Sequence, residues 1–227
     1  MSIAAVCLLA MLASAYALSK ELSPFLALPV EEAANAEAYA SEDFGVGLSS
    51  YSREMVMKSC FRIVLGYTDL QLLYEPARNV VDKCRLRAAE VVERTPSDSF
   101  AWLVRAASSI RLVKVEEFNA ALRNSQKTGP NEQWIARERI ELAENFYGRT
   151  DDATKTTHET DLALMASSYR GVKVIARRYV SDPNFRARIT TVVEKLPAER
   201  QRLFVGNVKK AMQEIRNAAP PAEGNKI

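Results

Sequence analysis

From Tyr51 onward, apolar residues recur with the 3.6-residue period of amphipathic helices. Met57, Cys60 and Val64, with Phe61 beside them, form the first stripe. Val81, Cys84, Ala88, Val91 and Val92 repeat it after Pro76. Leu103, Ala106, Ile110 and Val113 follow the capping residues Ser97 and Asp98. Further stripes are Phe118, Ala121, Leu122, Ser125; then Ala136, Ile140, Ala143, Tyr147; and last Phe204, Val208, Ala211, Ile215. Leu162, Met165, Tyr169, Val172, Ala176 and Tyr179 read as one longer helix. No alternating strand pattern of useful length competes, so the fold class is all-α. Short breaks at Pro96, Pro130, Pro183 and Pro197 make neighbouring helices antiparallel, giving a series of helical hairpins. Two breaks are longer, 66–76 and 148–158; the second has no apolar residue before Ala153 and is expected to be exposed and mobile.

The chain before Tyr51 has a different pattern. Residues 2–19 carry no charge and are apolar or small, which predicts a signal peptide or a transmembrane anchor over 1–19. As a helix the run spans about 27 Å, just short of a hydrocarbon core. Ala13-Ser14-Ala15 and Ala15-Tyr16-Ala17 offer the small-x-small pattern of a cleavage site, but no Lys or Arg precedes the run, so both readings stand. Residues 20–50 read as a spacer, with Pro24, Pro29, Gly45 and Gly47 as breakers and a short Ala- and Glu-rich helix at 31–40. Lys20 is the one base of that flank, which places the body outside the cytoplasm, in a periplasm or its equivalent. The helical body spans 51–217, and 218–227, with Pro220, Pro221 and Gly224, reads as a frayed tail.

Composition narrows the function. The chain has 227 residues, of which 48% are hydrophobic and 26% charged, as in a folded globular protein. Eight glycines argue against nucleotide-cradling loops, and the single histidine, His158, against a His-based metal cluster or a Ser-His-Asp triad. No cofactor is expected. A net charge of +3 is too weak to imply nucleic acid, and the aromatics near the basic residues fall on core stripes, leaving no stacking platform.

Cys60 and Cys84 stand about twelve residues before and after the turn of their hairpin, at nearly the same height. In an oxidising compartment that placement allows a disulfide across the hairpin; two buried core thiols are the equal alternative. A redox pair lacks the C-x-x-C spacing, and Cys7 has too short an apolar stretch before it for lipid attachment. Arg170, Lys173, Arg177, Arg178, Arg186 and Arg188, against Asp182 alone, form a basic surface that suits an anionic glycan or phospholipid headgroups, or is simply a solvated face. Glu138, Glu141 and Glu144, interleaved with Arg137 and Arg139, read as salt bridges on one exposed helix face. His158 reads as polar surface, and Trp102 and Trp134 as anchors of helix packing.

Pro96 and Pro130 lie 34 residues apart, with Trp102 and Ala106 after the first and Leu122 and Ser125 before the second. With that spacing, residues 77–147 resemble tetratricopeptide-like helical repeats, with Arg105, Ser109 and Phe118 departing from the family's pattern. The resemblance implies stacked hairpins that bind peptides or partner helices and perform no chemistry. Carried onto this chain, the groove-lining positions are Arg105, Ser108, Ser109, Leu112, Arg139 and Asn145. In general organisation the chain is also similar to small membrane-tethered accessory proteins of bacterial envelope and exopolysaccharide systems. The expected function is therefore a tethered or exported, non-catalytic scaffold for protein partners, with an accessory binder of anionic glycan or lipid as the alternative. An enzyme is the remaining class, without a recognisable catalytic set.

Overall fold

In the computed structural model, which describes residues 3–26 and 45–218, the chain is all-α. The helix expected at 31–40 and the tail beyond Ala218 lie outside the described residues. The apolar run forms α1, Ile3–Leu26, long and apolar enough to cross a membrane or to be a signal sequence. It runs on past residue 19, through Lys20 and Pro24, into what reads in sequence as spacer. Pro24 falls in its last turn, where it cannot donate the hydrogen bond to the carbonyl four residues back and its ring crowds that carbonyl, and the helix ends two residues later.

The remaining helices fall into two compact units that meet at Gly129–Pro130. The first holds α2 (Ser50–Gly66), α3 (Glu75–Arg94), α4 (Ser99–Arg111) and α5 (Val115–Thr128). Ser49 caps α2 by accepting from the Ser52 N–H at 3.1 Å, Asp98 caps α4 by accepting from Ala101 at 2.9 Å, and Pro76 sits in the first turn of α3. Helices α2 and α3 pair through their apolar stripes and both pack on α4, which α5 covers. Met57, Val64, Val81, Ala88, Leu103 and Phe118 are buried in the resulting core. The α2–α3 hairpin turns through a short 3-10 segment at Gln71–Leu73, and Cys60 and Cys84 are disulfide-bonded across it, their Cα atoms 5.4 Å apart. Ser99 and Ser125 lock α4 to α5: each hydroxyl donates to the other residue's carbonyl oxygen at 2.8 Å.

Between α4 and α5 the chain turns at Val113, whose φ is 63°. Leu112 and Lys114 donate to the carbonyls of Ser108 and Ser109, closing α4 in a left-handed cap of the kind glycine prefers. Val113 is therefore exposed at the tip, and does not continue the α4 core stripe.

The second unit holds α6 (Gln133–Asn145), α7 (Asp152–Ser167), α8 (Gly171–Ser181), α9 (Pro183–Glu194) and α10 (Ala198–Ala218). Two sequence expectations fail here. The 148–158 segment is no mobile break: after a short 3-10 turn at Tyr147–Arg149, Asp151 caps α7, accepting from Thr154 N–H at 2.7 Å. The stripe from Leu162 to Tyr179 belongs to two helices, not one, and Tyr169 between them is exposed. The break is built by Ser168, whose hydroxyl accepts from Gly171 N–H at 2.9 Å, and by Gly171, where an added Cβ would lie 2.6 Å from the Met165 carbonyl oxygen. Asp182 likewise caps α9, taking the N–H groups of Asn184 and Phe185 at 3.0 Å. Ile140, Leu162, Val172, Ile175, Phe185, Ile189 and Phe204 form this unit's core. On α10 only Phe204 and Ala211 are buried, and Ile215 lies outside the core stripe assigned to it.

Candidate interaction groove

The close approach of α8 to the end of α7 opens a cleft between α6 and α8. Along α6 it is lined by Gln133, Trp134, Arg137 and Glu141, and along α8 by Arg170, Val174, Arg177, Arg178 and Ser181. These positions repeat every three or four residues, so each helix presents one continuous face to the cleft. Two adjoining hollows of about 520 and 460 Å³ share Val174, with Met165 of α7 in the wall of the larger one. Trp134, about half exposed, lines the larger hollow. Four guanidinium groups border the cleft, and three have acidic partners. Arg137 pairs with Glu138 at 2.6 Å, Arg178 with Glu141 at 2.6 Å, and Arg177 with Glu214 of α10 at 3.1 Å. Arg170 is exposed at the start of α8.

Of the residues carried over from the repeat resemblance, Ser108, Ser109 and Arg139 are buried and so line no open groove. Ser108 and Ser109 are fully buried, the former donating to the Val104 carbonyl oxygen at 2.9 Å. Arg139 is buried against Asp161, with bonds of 2.6 and 2.7 Å. Arg105 bonds Glu117 at 2.7 Å and lies over the Trp102 ring, Leu112 is half-buried at the end of α4, and Asn145 is exposed at the end of α6. Small polar residues on α4 let its neighbours approach closely, and so lie inside. Glu117 also faces Arg85; the two arginines outweigh the upward push of partial burial and hold its carboxyl below the ordinary value.

The basic 170–188 surface is divided in the same way. Arg170, Lys173 and Arg177 are exposed. Arg178 is tied to Glu141, and Arg186 folds back to donate to the Tyr179 carbonyl oxygen at 3.1 Å. Arg188 reaches Glu144 and lies 4.1 Å from the Tyr147 ring centre. With Arg177 paired to Glu214, four of the six residues of the expected anionic-ligand patch are engaged within the protein.

Neither a family model, nor a curated protein, nor a solved structure matches this chain.

The second unit also contains a charged cluster that the sequence reading places on the surface. His158 is buried, and its Nε2 lies 2.6 Å from Glu144, which also receives Arg188. Glu144 is not on the face of Glu138 and Glu141, because three-residue steps drift around the helix. Burial pushes the Glu144 carboxyl up, but the hydrogen bonds from His158 and Arg188 outweigh it and hold it below the usual carboxylate range. Asp161 goes the other way: burial raises it, and Arg139 draws it back only in part. These groups pair with one another inside the helical packing, with the buried His158 Nδ1 left without a hydrogen bond among the described residues, and none of them lines the α6–α8 cleft. The signal for them was a polar stripe, Thr154, His158, Asp161, at helical spacing. Among the described residues no group of three or more His, Cys, Asp or Glu is placed to hold a metal ion.

Proposed function

We propose that the chain is a membrane-tethered, non-catalytic helical scaffold whose body lies outside the cytoplasm and holds a protein partner in the α6–α8 groove. The observation that carries this reading is the groove's lining: an exposed indole with Met165 and Val174 beside it, bordered by the guanidinium groups of Arg137, Arg170, Arg177 and Arg178. Trp and Arg are the side chains most enriched at the energetic centres of protein interfaces. The Cys60–Cys84 bridge supports an oxidising compartment, and the base-poor flank of α1 supports export of the body. The starts of α4 and α6 at Ser99 and Gln133, 34 residues apart, support reading these hairpins as tetratricopeptide-like units. An accessory role in envelope or exopolysaccharide assembly fits this organisation.

One observation favours a second ligand class for the same groove. Trp134 stands beside Arg137 and Arg170, an indole face for a sugar ring next to cations for its carboxylate, which suits an anionic glycan. Photo-crosslinking separates the two readings. A benzoylphenylalanine at position 134, irradiated in native membranes, is expected to give a discrete protein adduct that disappears in the Arg137→Glu/Arg170→Glu variant. An adduct removed by glycosidase would favour the glycan, and no adduct of either kind would reject the groove as the working face.

A further inference from the structure

The uncharged part of α1, Ile3–Ser19, is about 26 Å long as a helix, a few ångströms short of a hydrocarbon core of about 30 Å. The residues that follow it are not cut loose from the body. Glu21 accepts hydrogen bonds from the N–H groups of Leu48 and Ser49 at 2.8 and 3.0 Å, from the Ser49 hydroxyl, and from the Ser52 hydroxyl at 3.1 Å. The Glu21 carboxylate of α1 thus closes over the start of α2, 27 to 31 residues on. Gly47 makes this approach feasible: its φ is +74°, and an added Cβ would lie 2.5 Å from the Ser52 Cβ.

The contact gathers four large apolar side chains into water. Leu22 and Phe25 of α1 are each 43% exposed, Leu48 51% and Tyr51 69%. Phe25 and Tyr51 stack with ring centres 5.9 Å apart. Leu22 and Phe25 stand about 5–9 Å beyond Ser19 along the helix, the depth of one headgroup layer. Lys20 lies over the Tyr16 ring, an aromatic–cation pair of the kind found at membrane interfaces.

We propose that Leu22, Phe25, Leu48 and Tyr51 form a collar that enters the bilayer's interfacial layer, completing an anchor that is too short alone, and that Glu21 is the latch holding Leu48 and Tyr51 there. The occupant of this apolar surface is lipid, because the surface is continuous with the helix that enters the membrane. A carboxylate at that depth is tolerated because both its oxygens accept hydrogen bonds.

The inference rests on α1 being a retained anchor, and the experiment tests the two separately. Full-length protein carrying Cys7→Ala and a single cysteine in place of Leu48, Tyr51 or Leu73 is labelled with an environment-sensitive fluorophore. It is then placed in phosphatidylethanolamine–phosphatidylglycerol vesicles with headgroup-proximal doxyl lipid. Leu73, 75% exposed in the turn beyond the far end of α2, is the reference. Labels at 48 and 51 are expected to be quenched several-fold more strongly than at 73, and Glu21→Ala to bring them to the reference level while the protein still floats with the vesicles. Flotation with 48 and 51 no more quenched than 73 overturns the collar alone. Quenching that survives Glu21→Ala overturns the latch. Failure to float overturns the anchor and the collar with it.

Discussion

Reduction of the Cys60–Cys84 bridge should destabilise the first unit through its unfolded chain. The two residues are fully buried on facing helices and 24 residues apart. For a ring of that size the chain-entropy model gives about 3.5 kcal/mol at 25 °C, and bridges generally deliver somewhat less. Both thiols stay buried after reduction, so no cavity opens and the entropic contribution dominates the change. In a unit of this size each 1 kcal/mol moves the melting temperature by about 4–8 °C, so reduction should lower it by roughly 12 °C or more. Trp102 reports this unit: it lies on α4 and its indole N–H donates to the Pro96 carbonyl oxygen at 2.8 Å. The chain's only other tryptophan is Trp134, so Trp134→Phe leaves a single reporter. The assay is thermal unfolding followed by Trp102 fluorescence with and without a phosphine reductant. Cys60→Ala/Cys84→Ala should melt like the reduced protein. Complete reduction that leaves the Trp102 transition in place would refute the reasoning, as would alkylation of both thiols in unreduced protein from its native compartment.

Three further outcomes follow from the geometry. Val113→Gly should stabilise by about 0.5–1 kcal/mol in urea unfolding, because the left-handed backbone costs a β-branched residue about 1–2 kcal/mol and glycine's extra freedom when unfolded offsets part of that gain; a loss of stability would contradict the strain. Asp161→Asn should cost about 3–5 kcal/mol by leaving the Arg139 guanidinium buried without its counter-charge, and adding Arg139→Met should recover much of it; a loss below about 1 kcal/mol would show that the pair is solvated. Glu144, held below its unfolded value, contributes stability that is fully present above the unfolded carboxylate range and lost as pH falls through the folded value, so melting between neutral and acid pH should show a shallower acid limb in Glu144→Gln than in wild type.

What could be read from the sequence follows from which contacts are local. The stripes 57-60-64 and 81-84-88 are apolar and close to one hairpin turn, so the all-α class, the α2–α3 pairing and the height of the two cysteines were all legible. The inward face of α7 was not, because it is Thr154, His158 and Asp161. His158 and Asp161 find their partners Glu144 and Arg139 on α6, Glu144 also receives Arg188 of α9, and apolar periodicity does not register charges that pay for their burial by pairing. The groove was half legible: 133-137-141 and 170-174-178 are regular helical rows, but their facing one another depends on the break at Ser168–Gly171, which reads in sequence as helix. Ser108 and Ser109 misled for the opposite reason, since small polar side chains suit close helix packing as well as a surface.

Whether a tethered scaffold holds a partner in its α6–α8 groove outside the cytoplasm is decided by labelling Ser181→Cys, at the cleft wall, in a Cys7→Ala background with a membrane-impermeant maleimide. The account predicts rapid labelling of the purified full-length protein. It also predicts labelling from the non-cytoplasmic side of intact inner membranes, slowed by the bound partner and restored to the purified rate once Arg170→Glu releases it. Labelling only after the membranes are opened from the cytoplasmic side would contradict the topology, and equal rates in purified and membrane-embedded protein would contradict the occupied groove.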